Sequence, residues 1–454
     1  MTTKISAQEA VTAKMRKAGC TPAQIRRFQR NRHRYLEEGA GQLPESELDP
    51  VDSLPRLEAL PLGDEVLLRQ VVVIKLNGGL GTSMGLEGPK ALLPVRGNHS
   101  FLELVVGQLC HLRKTQGLEV PLLLMNSFNT QQSTNQALAE MGFEQDHPHE
   151  FLQSRIPKLT PDGEPARDDG QPHYEWCPPG HGDLYPSLRE SGLVESLRER
   201  GIRWAFVSNV DNLGAVLDLR ILRWLAQEQP PFLMEVTRRT ESDRKGGHLA
   251  RHAQTGQLLL REVAQCPESD AEAFGDIERH RYFNTNNLWL DLEALDERWD
   301  DLPLIVNRKP LRPDQPDSPP VVQLETAMGA AIGTIEGARA IEVPRTRFVP
   351  VKTTSDLLVV RSDLFDLRED FSLVRTDQGP LPAVDLDSNH YKLMADFESL
   401  VSGVPSLKAC QGLRVEGPVR LHDQTVLEGE VHLVNSSDQP RQAPAGRLEG
   451  RHRL

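Results

Sequence analysis

A glycine-rich loop that ends on a lysine is the segment with the clearest chemical potential. The stretch VVVIKLNGGLGTSMGLEGPK runs from Val71 to Lys90 and follows a run of β-branched residues directly. Glycines lack a Cβ, so their backbone N–H groups can approach an anion closely and form a concave nest. The loop therefore predicts a phosphate site; the alternative is a glycine turn that joins a strand to a helix and binds nothing.

Two common nucleotide loops do not match this stretch. A Walker loop needs a lysine directly after its last glycine, but Pro89 separates Gly88 from Lys90, and Ala91 stands where a hydroxyl should hold magnesium. The dinucleotide fingerprint G-x-G-x-x-G fails because Met84 takes its third glycine position. The loop belongs to neither class.

Polar residues after or within apolar runs are further candidates. Asp211 follows WAFVSNV, where a strand should end. One carboxylate there suffices for Mg²⁺, because this ion keeps waters and takes other oxygens from phosphates, although a helix N-cap is the alternative. Asn284 and Asn286 alternate along FNTNN, so their amides can converge on sugar hydroxyls or cap the next turn.

These candidates need a sheet that brings strand ends together. From Val71 onward, apolar runs (VVVIKL, PLLLMN, RWAFVSNV, PFLMEVT) alternate with helical patterns such as SFLELVVGQLCHLRKTQ. The alternation predicts an α/β fold with a mixed, mostly parallel, Rossmann-like sheet and helices on both faces. Ligands in such folds bind at the carboxyl ends of the strands. Two long loops, 160–173 and 308–320, are expected to interrupt the pattern.

The N-terminal part has a different character. Residues 6 to about 38 show helical spacing with many charges, and a Pro- and acid-rich stretch follows them. We therefore expect residues 1–65 to form a helical arm and a connector.

The C-terminal part carries a repeat of six residues. Apolar residues recur at Leu413, Val419 and Val431, and turn formers recur in step at Gly417 and Gly429. This period predicts a β-helix, whose coils need inward apolar side chains and tight corners, with chance alternation in an antiparallel sheet as the alternative. The polar sequence from residue 436 onward is expected to be a poorly ordered tail.

Composition narrows the class of partner. The formal net charge of −13 argues against nucleic acid, whose binding depends on clustered Lys and Arg. No signal-peptide pattern opens the chain and no apolar run approaches the roughly 20 residues of a membrane span, so we expect a cytoplasmic protein that does not bind membranes. The five cysteines are scattered without a CxxC spacing and are expected to be free thiols.

The glycine loop is also part of a wider resemblance. KLNGGLGTSMGLEGPK resembles the signature of the eukaryotic-type UDP-glucose pyrophosphorylase family, and further blocks resemble that family in the same order over nearly the whole chain. Several ordered blocks are more specific than one glycine loop. The blocks are FLQSRIPKL (151–159), PPGHGD (178–183), SNVDNLGA (208–215), KGGHLA (245–250), FNTNNLW (283–289), QLETAMGAAI (323–332) and VPRTRFVPVKTTSDLLVV (343–360).

The resemblance implies a nucleotidyltransferase domain at 66–360 and a left-handed β-helix domain with a polar tail at 361–454. The implied substrates are UTP and glucose 1-phosphate, the implied cofactor is Mg²⁺, and the products are UDP-glucose and pyrophosphate. Such a reaction needs positioning and charge neutralisation rather than a protein nucleophile. A homo-oligomer formed through the C-terminal domain is possible in this family.

The resemblance also implies roles for single residues. Lys90 and Lys352 are the catalytic candidates and Asp211 is the metal ligand; a solvated surface charge is the alternative for each lysine, and a turn histidine for His181. Glu262 and Gly246 are weaker candidates for the sugar site. The nucleotide set is Leu76, Asn77, Gly78, Gly79, Lys90, Gln153, Gly180, Asp211 and Lys352, and the sugar-phosphate set is His181, Asn209, Asp211, Gly247, Asn284 and Asn286.

The sequence departs from the family pattern at Leu86-Glu87 and Ala91, and the repeat is expected to end near Asn435. Two rival functions remain. The first is a pyrophosphorylase for another hexose 1-phosphate, whose loop would resemble AGGxGTRLG; Thr82-Ser83-Met84 does not match that loop. A non-catalytic nucleotide-sugar sensor should have lost its charged positions, which this chain retains.

Overall fold

The computed structural model describes residues 6–39, 41–146, 148–313, 315–377 and 379–454. The α-helices within these ranges are α1 (Ala7–Lys17), α2 (Pro22–Glu38), α3 (Phe101–Gln116), α4 (Gln131–Glu140), α5 (Leu184–Glu190), α6 (Leu193–Glu199), α7 (Leu219–Glu228), α8 (Ala271–Phe274), α9 (Thr354–Arg361), α10 (Ser388–Tyr391) and α11 (Met394–Leu400). None of these helices has the length and apolar content that a membrane span needs.

The strands of the same ranges are β1 (Leu48–Asp49), β2 (Val71–Asn77), β3 (Pro94–Arg96), β4 (His99–Ser100), β5 (Leu122–Asn126), β6 (Glu150–Leu152), β7 (Ile156–Pro157), β8 (Trp176–Cys177), β9 (Trp204–Asn209), β10 (Phe232–Arg238), β11 (His248–His252), β12 (Leu258–Arg261), β13 (Tyr282–Asp291), β14 (Leu304–Pro310), β15 (Pro320–Thr326), β16 (Arg339–Glu342), β17 (Phe365–Leu367), β18 (Leu373–Arg375), β19 (Ala383–Leu386), β20 (Ser406–Glu416), β21 (Val419–Arg420), β22 (Thr425–Val434), β23 (Arg441–Gln442) and β24 (Gly446–Arg453).

A ten-stranded mixed sheet forms the centre of the molecule. In one half, β9, β2, β5 and β6 run parallel, as the sequence predicts. In the other half, β13 lies antiparallel to β9, β10 and β11, so the mostly parallel sheet of the prediction is wrong there. A strand buried on both faces is a continuous apolar run in either direction, so its sequence does not reveal its orientation.

Helices cover both faces of this sheet, as predicted. Successive residues of β2 point to opposite faces, so Val73 packs with α3 and α7, whereas Ile74 packs with α5 and α6. Serine at position 100 begins α3 with a capping box to Glu103, and Gly117 ends the helix in the left-handed conformation. Local capping signals therefore agree with the apolar periodicity that predicted this helix.

The N-terminal arm is helical, as predicted. Capping boxes begin both of its helices, with Ser6 at α1 and Thr21 at α2. Phe28 of α2 packs against the hairpin of β14 and β15. Because this hairpin extends to Pro310 and resumes at Pro320, the predicted loop 308–320 is shorter than expected and spans 311–319.

The C-terminal part stacks β19, β20, β22 and β24 as parallel neighbours. Leu413 of β20 pairs with Val431 of β22, eighteen residues or three six-residue steps further on, whereas Leu427 of β22 pairs with Leu448 of β24, twenty-one residues further on. The predicted inward residues Leu413, Val419 and Val431 are buried, and Gly417 and Gly429 have positive φ. The period therefore predicted the buried rows and the corners correctly.

The predicted poorly ordered tail is wrong. Beyond Asn435, the chain forms β23 and β24, and Leu448 of β24 pairs with Leu427 of β22. Leu448 of β24 and Ala443, which follows β23, are buried, and the side chains of the two strands other than Leu448 are mostly exposed. A parallel strand of this kind forms its backbone ladder whatever the polarity of its outward side chains, so a polar sequence gave no signal for it.

Candidate active site

A cavity of about 300 Å³ lies at the carboxyl ends of β2, β5 and β9. The sequence predicted most of its lining, but not Met125, Pro178 or Val210. The lining residues are Leu76, Gly78, Gly79, Lys90, Met125, Gln153, Pro178, Gly180, His181, Asn209, Val210 and Asp211. Segments that are far apart in the chain thus form one site, at the edge where open α/β sheets bind ligands.

The glycine loop forms one wall of this cavity. A Cβ on Gly79 would meet no atom within 4 Å, whereas a Cβ on Gly78 would lie 2.9 Å from Gln153 Oε1. Leu86 packs so closely on Gly81 that a Cβ there would lie 2.3 Å from Leu86 Cδ1. Leu86, which departs from the family pattern, therefore packs the loop from within. Nothing in the structure explains Glu87.

Lys90 and Asp211 meet across the cavity. Lys90 Nζ donates to Asp211 Oδ2 at 2.6 Å, and both side chains are partly buried. Lys90 begins a short turn after the glycine loop, and Asp211 follows β9. The pair joins the glycine loop to the strand end that carries the predicted metal ligand.

Asp211 also allows a test of the predicted magnesium site. Within the described ranges, no group of three or more His, Cys, Asp and Glu side chains could hold a metal ion. Magnesium does not need such a group, because it is commonly held by one or two carboxylates with waters and substrate phosphates. A lone carboxylate that lines the cavity beside the glycine loop therefore fits this ion.

Gln153 and Gly180 form the opposite side of the cavity. Gln153 Nε2 donates to the Gly180 carbonyl oxygen at 2.8 Å. Gly180 has a φ of +82°, and a Cβ there would lie 2.4 Å from the Thr326 carbonyl oxygen, so only glycine fits. The Ser154 N–H donates to Asp183 Oδ2 at 2.7 Å, which holds the two segments together.

His181 has a defined protonation state. Its Nδ1 accepts a hydrogen bond from the Met328 backbone N–H at 3.0 Å. Burial lowers the pKa of His181 to about 4, so the imidazole is neutral at pH 7. With Nδ1 an acceptor, the proton lies on Nε2, which can donate to a ligand in the cavity.

A buried network, which the sequence analysis missed, supports the Asp211 side of the cavity. Arg347 donates to Glu235 at 2.6 and 2.7 Å, and both side chains are buried. Asn287 bridges Glu235 to Asn212, and Asn212 Oδ1 accepts from the Val349 N–H at 2.9 Å. We call these contacts the Glu235–Arg347 network. The one available signal was a glutamate inside the apolar run PFLMEVT.

Lys352 lies beside Asp211 but outside the cavity lining. The Val351 N–H donates to the Asp211 carbonyl oxygen at 3.2 Å, which places the next residue next to the metal candidate. Lys352 is exposed, and its charge acts on Glu262: burial raises the pKa of the Glu262 carboxyl, and Lys352 offsets part of that rise. Lys352 is therefore near both Asp211 and Glu262.

The predicted sugar residues form a neighbouring group. Asn284 Nδ2 donates to Asn286 Oδ1 at 2.9 Å, and Asn284 Oδ1 accepts from the Asn286 backbone N–H at 2.9 Å, at a bulge where Asn286 has a φ of +58°. The Asn284 side chain thus caps this local turn, which was the alternative prediction, and contact of the two amides with sugar hydroxyls stays a prediction. A Cβ on Gly247 would lie 2.6 Å from the Glu262 carboxylate. These residues do not line the cavity. They adjoin it, because Gly329 packs on Asn284 and follows the Met328 that holds His181.

Asn77 is the nucleotide candidate whose side chain turns away. Its Nδ2 donates to Asn126 Oδ1 at 2.7 Å and to Thr134 Oγ1 at 2.9 Å, and the side chain is buried. This side chain does not line the cavity, and contact between Asn77 and a nucleotide stays a prediction. Asn77 instead fixes the end of β2 against β5 and α4.

The sheet edge, the glycine loop and the Lys90–Asp211 pair define a nucleotide-binding α/β protein of the nucleotidyltransferase kind. The chain belongs to the UTP--glucose-1-phosphate uridylyltransferase family, whose model matches residues 25–428.

Individual relatives agree with this assignment. The UTP--glucose-1-phosphate uridylyltransferase 2 of Dictyostelium discoideum is 38% identical over 435 residues, which cover 92% of this chain and 84% of the relative. The UTP--glucose-1-phosphate uridylyltransferase of Hordeum vulgare is 41% identical over 387 residues, which cover 84% of this chain and 81% of the relative. A UDP-glucose pyrophosphorylase variant from Leishmania major, solved in complex with UDP-glucose, matches with a TM-score of 0.91 and 44% identity over 98% of this chain and 99% of that one.

Proposed function

We propose that this protein is a uridylyltransferase that forms UDP-glucose and pyrophosphate from UTP and glucose 1-phosphate, reversibly. The observation that carries the proposal is the convergence of Lys90, Asp211 and the glycine loop on one cavity in a chain of this family. Cavities of this size and position suit a small polar ligand.

The cavity would hold UTP from two sides. The backbone of Gly78 and Gly79 lies open to the cavity and can approach the nucleotide without a Cβ between them. Gln153 lies opposite, and its amide offers a donor and an acceptor to a uracil edge. Its Nε2 already donates to the Gly180 oxygen, so this bond also orients the amide for the base.

The chemical step needs no nucleophile from the protein. A phosphate oxygen of glucose 1-phosphate attacks the α-phosphorus of UTP, the bond to the bridging oxygen breaks, and pyrophosphate leaves in line. Lys90 and Lys352 would neutralise charge on the phosphates. For this, Lys90 must exchange part of its bond to Asp211 for a phosphate oxygen.

Asp211 would hold Mg²⁺ together with substrate phosphates, and the ion, when bound, supplies further neutralisation of phosphate charge. His181 would donate from its neutral Nε2 to the sugar phosphate. The sugar side would be completed by Asn209, Gly247, Asn284 and Asn286. The amides of Asn284 and Asn286, which bond to each other here, would turn toward the sugar hydroxyls.

One assay tests the proposal. Pyrophosphate release is measured with UTP, Mg²⁺ and, in separate reactions, the 1-phosphates of glucose, galactose and N-acetylglucosamine. We expect release with glucose 1-phosphate above all. Release with another sugar alone would favour the rival pyrophosphorylase, and no release with any sugar would leave only the nucleotide-sugar sensor.

We also propose that residues 1–65, 66–360 and 361–454 are the arm, catalytic and C-terminal domains, and that the stacked C-terminal strands wind as a left-handed β-helix. The support is their parallel pairing and the spacing of eighteen residues between the paired Leu413 and Val431. A cytoplasmic location and a homo-oligomer through the C-terminal domain stay predictions.

A further inference from the structure

A second and larger cavity lies on the other face of the central sheet. It is a groove of about 980 Å³, more than three times the volume of the proposed UTP cavity. Lys75 lines the groove and Leu76 lines the UTP cavity, and adjacent residues of a strand point to opposite faces. The groove is thus separated from the reaction by the sheet itself.

The floor of the groove holds a buried ammonium group. Lys75 Nζ donates to Ser208 Oγ at 2.7 Å and to the Ala215 carbonyl oxygen at 3.0 Å, which leaves its third N–H without a protein acceptor in the described chain. No carboxylate of the described residues forms an ion pair with Lys75. Burial, and then the charge of Arg347, lowers the pKa of Lys75 to about 7. An anion beside the Lys75 ammonium would offset part of the free energy that burying its positive charge costs.

The other cations of the groove already have anionic partners. Arg220 pairs with Asp218 at 2.7 Å, and Arg347 pairs with Glu235 at 2.6 Å. Arg375 pairs with Asp377. The lining also carries the carboxylates of Glu58, Glu65 and Asp370. The groove therefore offers one ammonium group without an ion pair among the described residues, which does not suit a polyphosphate.

The walls of the groove are mostly aliphatic. Apolar side chains from α3, β2 and the segment after Asp211 line the same groove as Lys75, and they suit a hydrocarbon body better than a polar one. The main apolar residues are Leu68, Val73, Val105, Leu109, Leu112, Phe206, Leu213, Leu217 and Leu219.

Two of the wall segments lie close in sequence to proposed catalytic residues. Residues 213–217 begin two positions after Asp211, and the wall residues Pro344, Thr346 and Arg347 precede Lys352 by five to eight positions. Lys75 itself donates to Ala215, so its bonding affects the first of these segments. A molecule in the groove would contact both segments on the side that faces away from the proposed UTP cavity.

We propose that the groove binds an aliphatic monocarboxylate, with the carboxylate on Lys75 and the hydrocarbon chain along α3, and that its occupancy changes the affinity for UTP. The second half rests on the proposed function, because it concerns the UTP cavity. The first half stands on the groove alone.

Calorimetric titration of the full chain with octanoate tests the first half, with octan-1-ol as the neutral match. We expect saturable binding of octanoate, about tenfold tighter than that of the alcohol, because a charge-assisted bond to Lys75 is available only to the acid. Lys75→Met should remove this preference. Equal affinities of wild type for acid and alcohol, or no saturable binding, would overturn the proposal.

Leu112→Trp is the second variant, because Leu112 is a half-buried wall residue of α3 and the larger ring would fill the groove. We expect octanoate binding to weaken at least about tenfold while circular dichroism stays unchanged. This variant keeps the test valid if Lys75→Met does not fold. Unchanged binding in Leu112→Trp would place the octanoate elsewhere and overturn the assignment.

Titration with UTP, with and without saturating octanoate, tests the second half. We expect the UTP affinity to shift in wild type and not in Leu112→Trp. An unchanged UTP affinity would overturn the coupling alone. If UTP does not bind under any condition, the proposed function fails, and the octanoate titration still decides whether the groove is a ligand site.

Discussion

The two sides of the proposed UTP cavity are built in different ways. The glycine wall, residues 76–90, is open at Gly79 and is packed mainly by its own Leu86. The Asp211 side, residues 209–216 with the adjoining segment 343–352, is fixed by the Glu235–Arg347 network, in which charged and amide groups are bonded to one another in the core. The glycine wall, which carries Lys90, can adapt to a ligand, and the other wall holds Asp211 in place.

The largest effect should come from breaking the fixed wall. Arg347→Met leaves the Glu235 carboxylate buried without its partner, so we expect the free energy of unfolding, measured in urea, to fall by about 3–5 kcal/mol. The matched control is Glu235→Gln combined with Arg347→Met, which should recover much of the loss. A loss below about 1 kcal/mol in the single variant would show that this wall is not held by the pair.

The next effect should separate activity from stability. Lys90→Met removes a partly exposed pair, so the free energy of unfolding should change by less than about 1 kcal/mol. Pyrophosphate release should fall about 10²–10³-fold, because a group that neutralises charge in the transition state is lost. Lys408→Met, at an exposed lysine of β20, is the control. Equal turnover in the two variants would remove Lys90 from the mechanism.

Acidification tests the cavity between the walls by adding charge to it. The pKa of His181 is lowered from 6.5 to about 4, so its contribution to stability is complete above pH 6.5 and is lost as the pH falls to 4. In that range the free energy of unfolding should fall by up to about 1.4 kcal/mol per pH unit more in wild type than in His181→Asn. Parallel pH curves for the two proteins would contradict this.

The smallest effect should come from the open wall. Gly79→Ala should change the free energy of unfolding by less than about 0.5 kcal/mol, because no atom lies within 4 Å of the new Cβ, yet it should raise the KM for UTP. Gly180→Ala is the contrast, since its positive φ and the Thr326 oxygen should cost about 1–3 kcal/mol. If Gly79→Ala destabilised the protein as much as Gly180→Ala, the glycine wall would not be adaptable.

Much of the fold could be predicted from local patterns. Apolar runs gave β2, β5, β9 and β10 with bounds close to those observed, and capping residues agreed with α1, α2 and α3. The direction of β13 could not be predicted, since both of its faces are buried, and neither could β24, whose backbone pairs without an apolar pattern. Strand pairing is a long-range property that local composition does not encode.

The site likewise has residues that local motifs predicted and features that depend on long-range packing. Lys90, Gln153, His181 and Asp211 were predicted because motif blocks contain them, and they line one cavity. The inward turn of Asn77 depends on partners that lie about 50 residues away in sequence, so no motif shows it. The Glu235–Arg347 network and the groove around Lys75 likewise exist only once distant segments pack together.

The layers of the C-terminal region differ slightly in length: Leu413 pairs with Val431, eighteen residues further on, and Leu427 pairs with Leu448, twenty-one residues further on. The corners between strands therefore accommodate extra residues, whereas a single inserted residue within a strand would turn its following side chains to the wrong face. Among the described residues, the last strand, β24, pairs with β22 and leaves its other edge open to a further layer. Length differences between relatives in this region should therefore occur as whole layers of about 18–21 residues, without a change in the catalytic sheet.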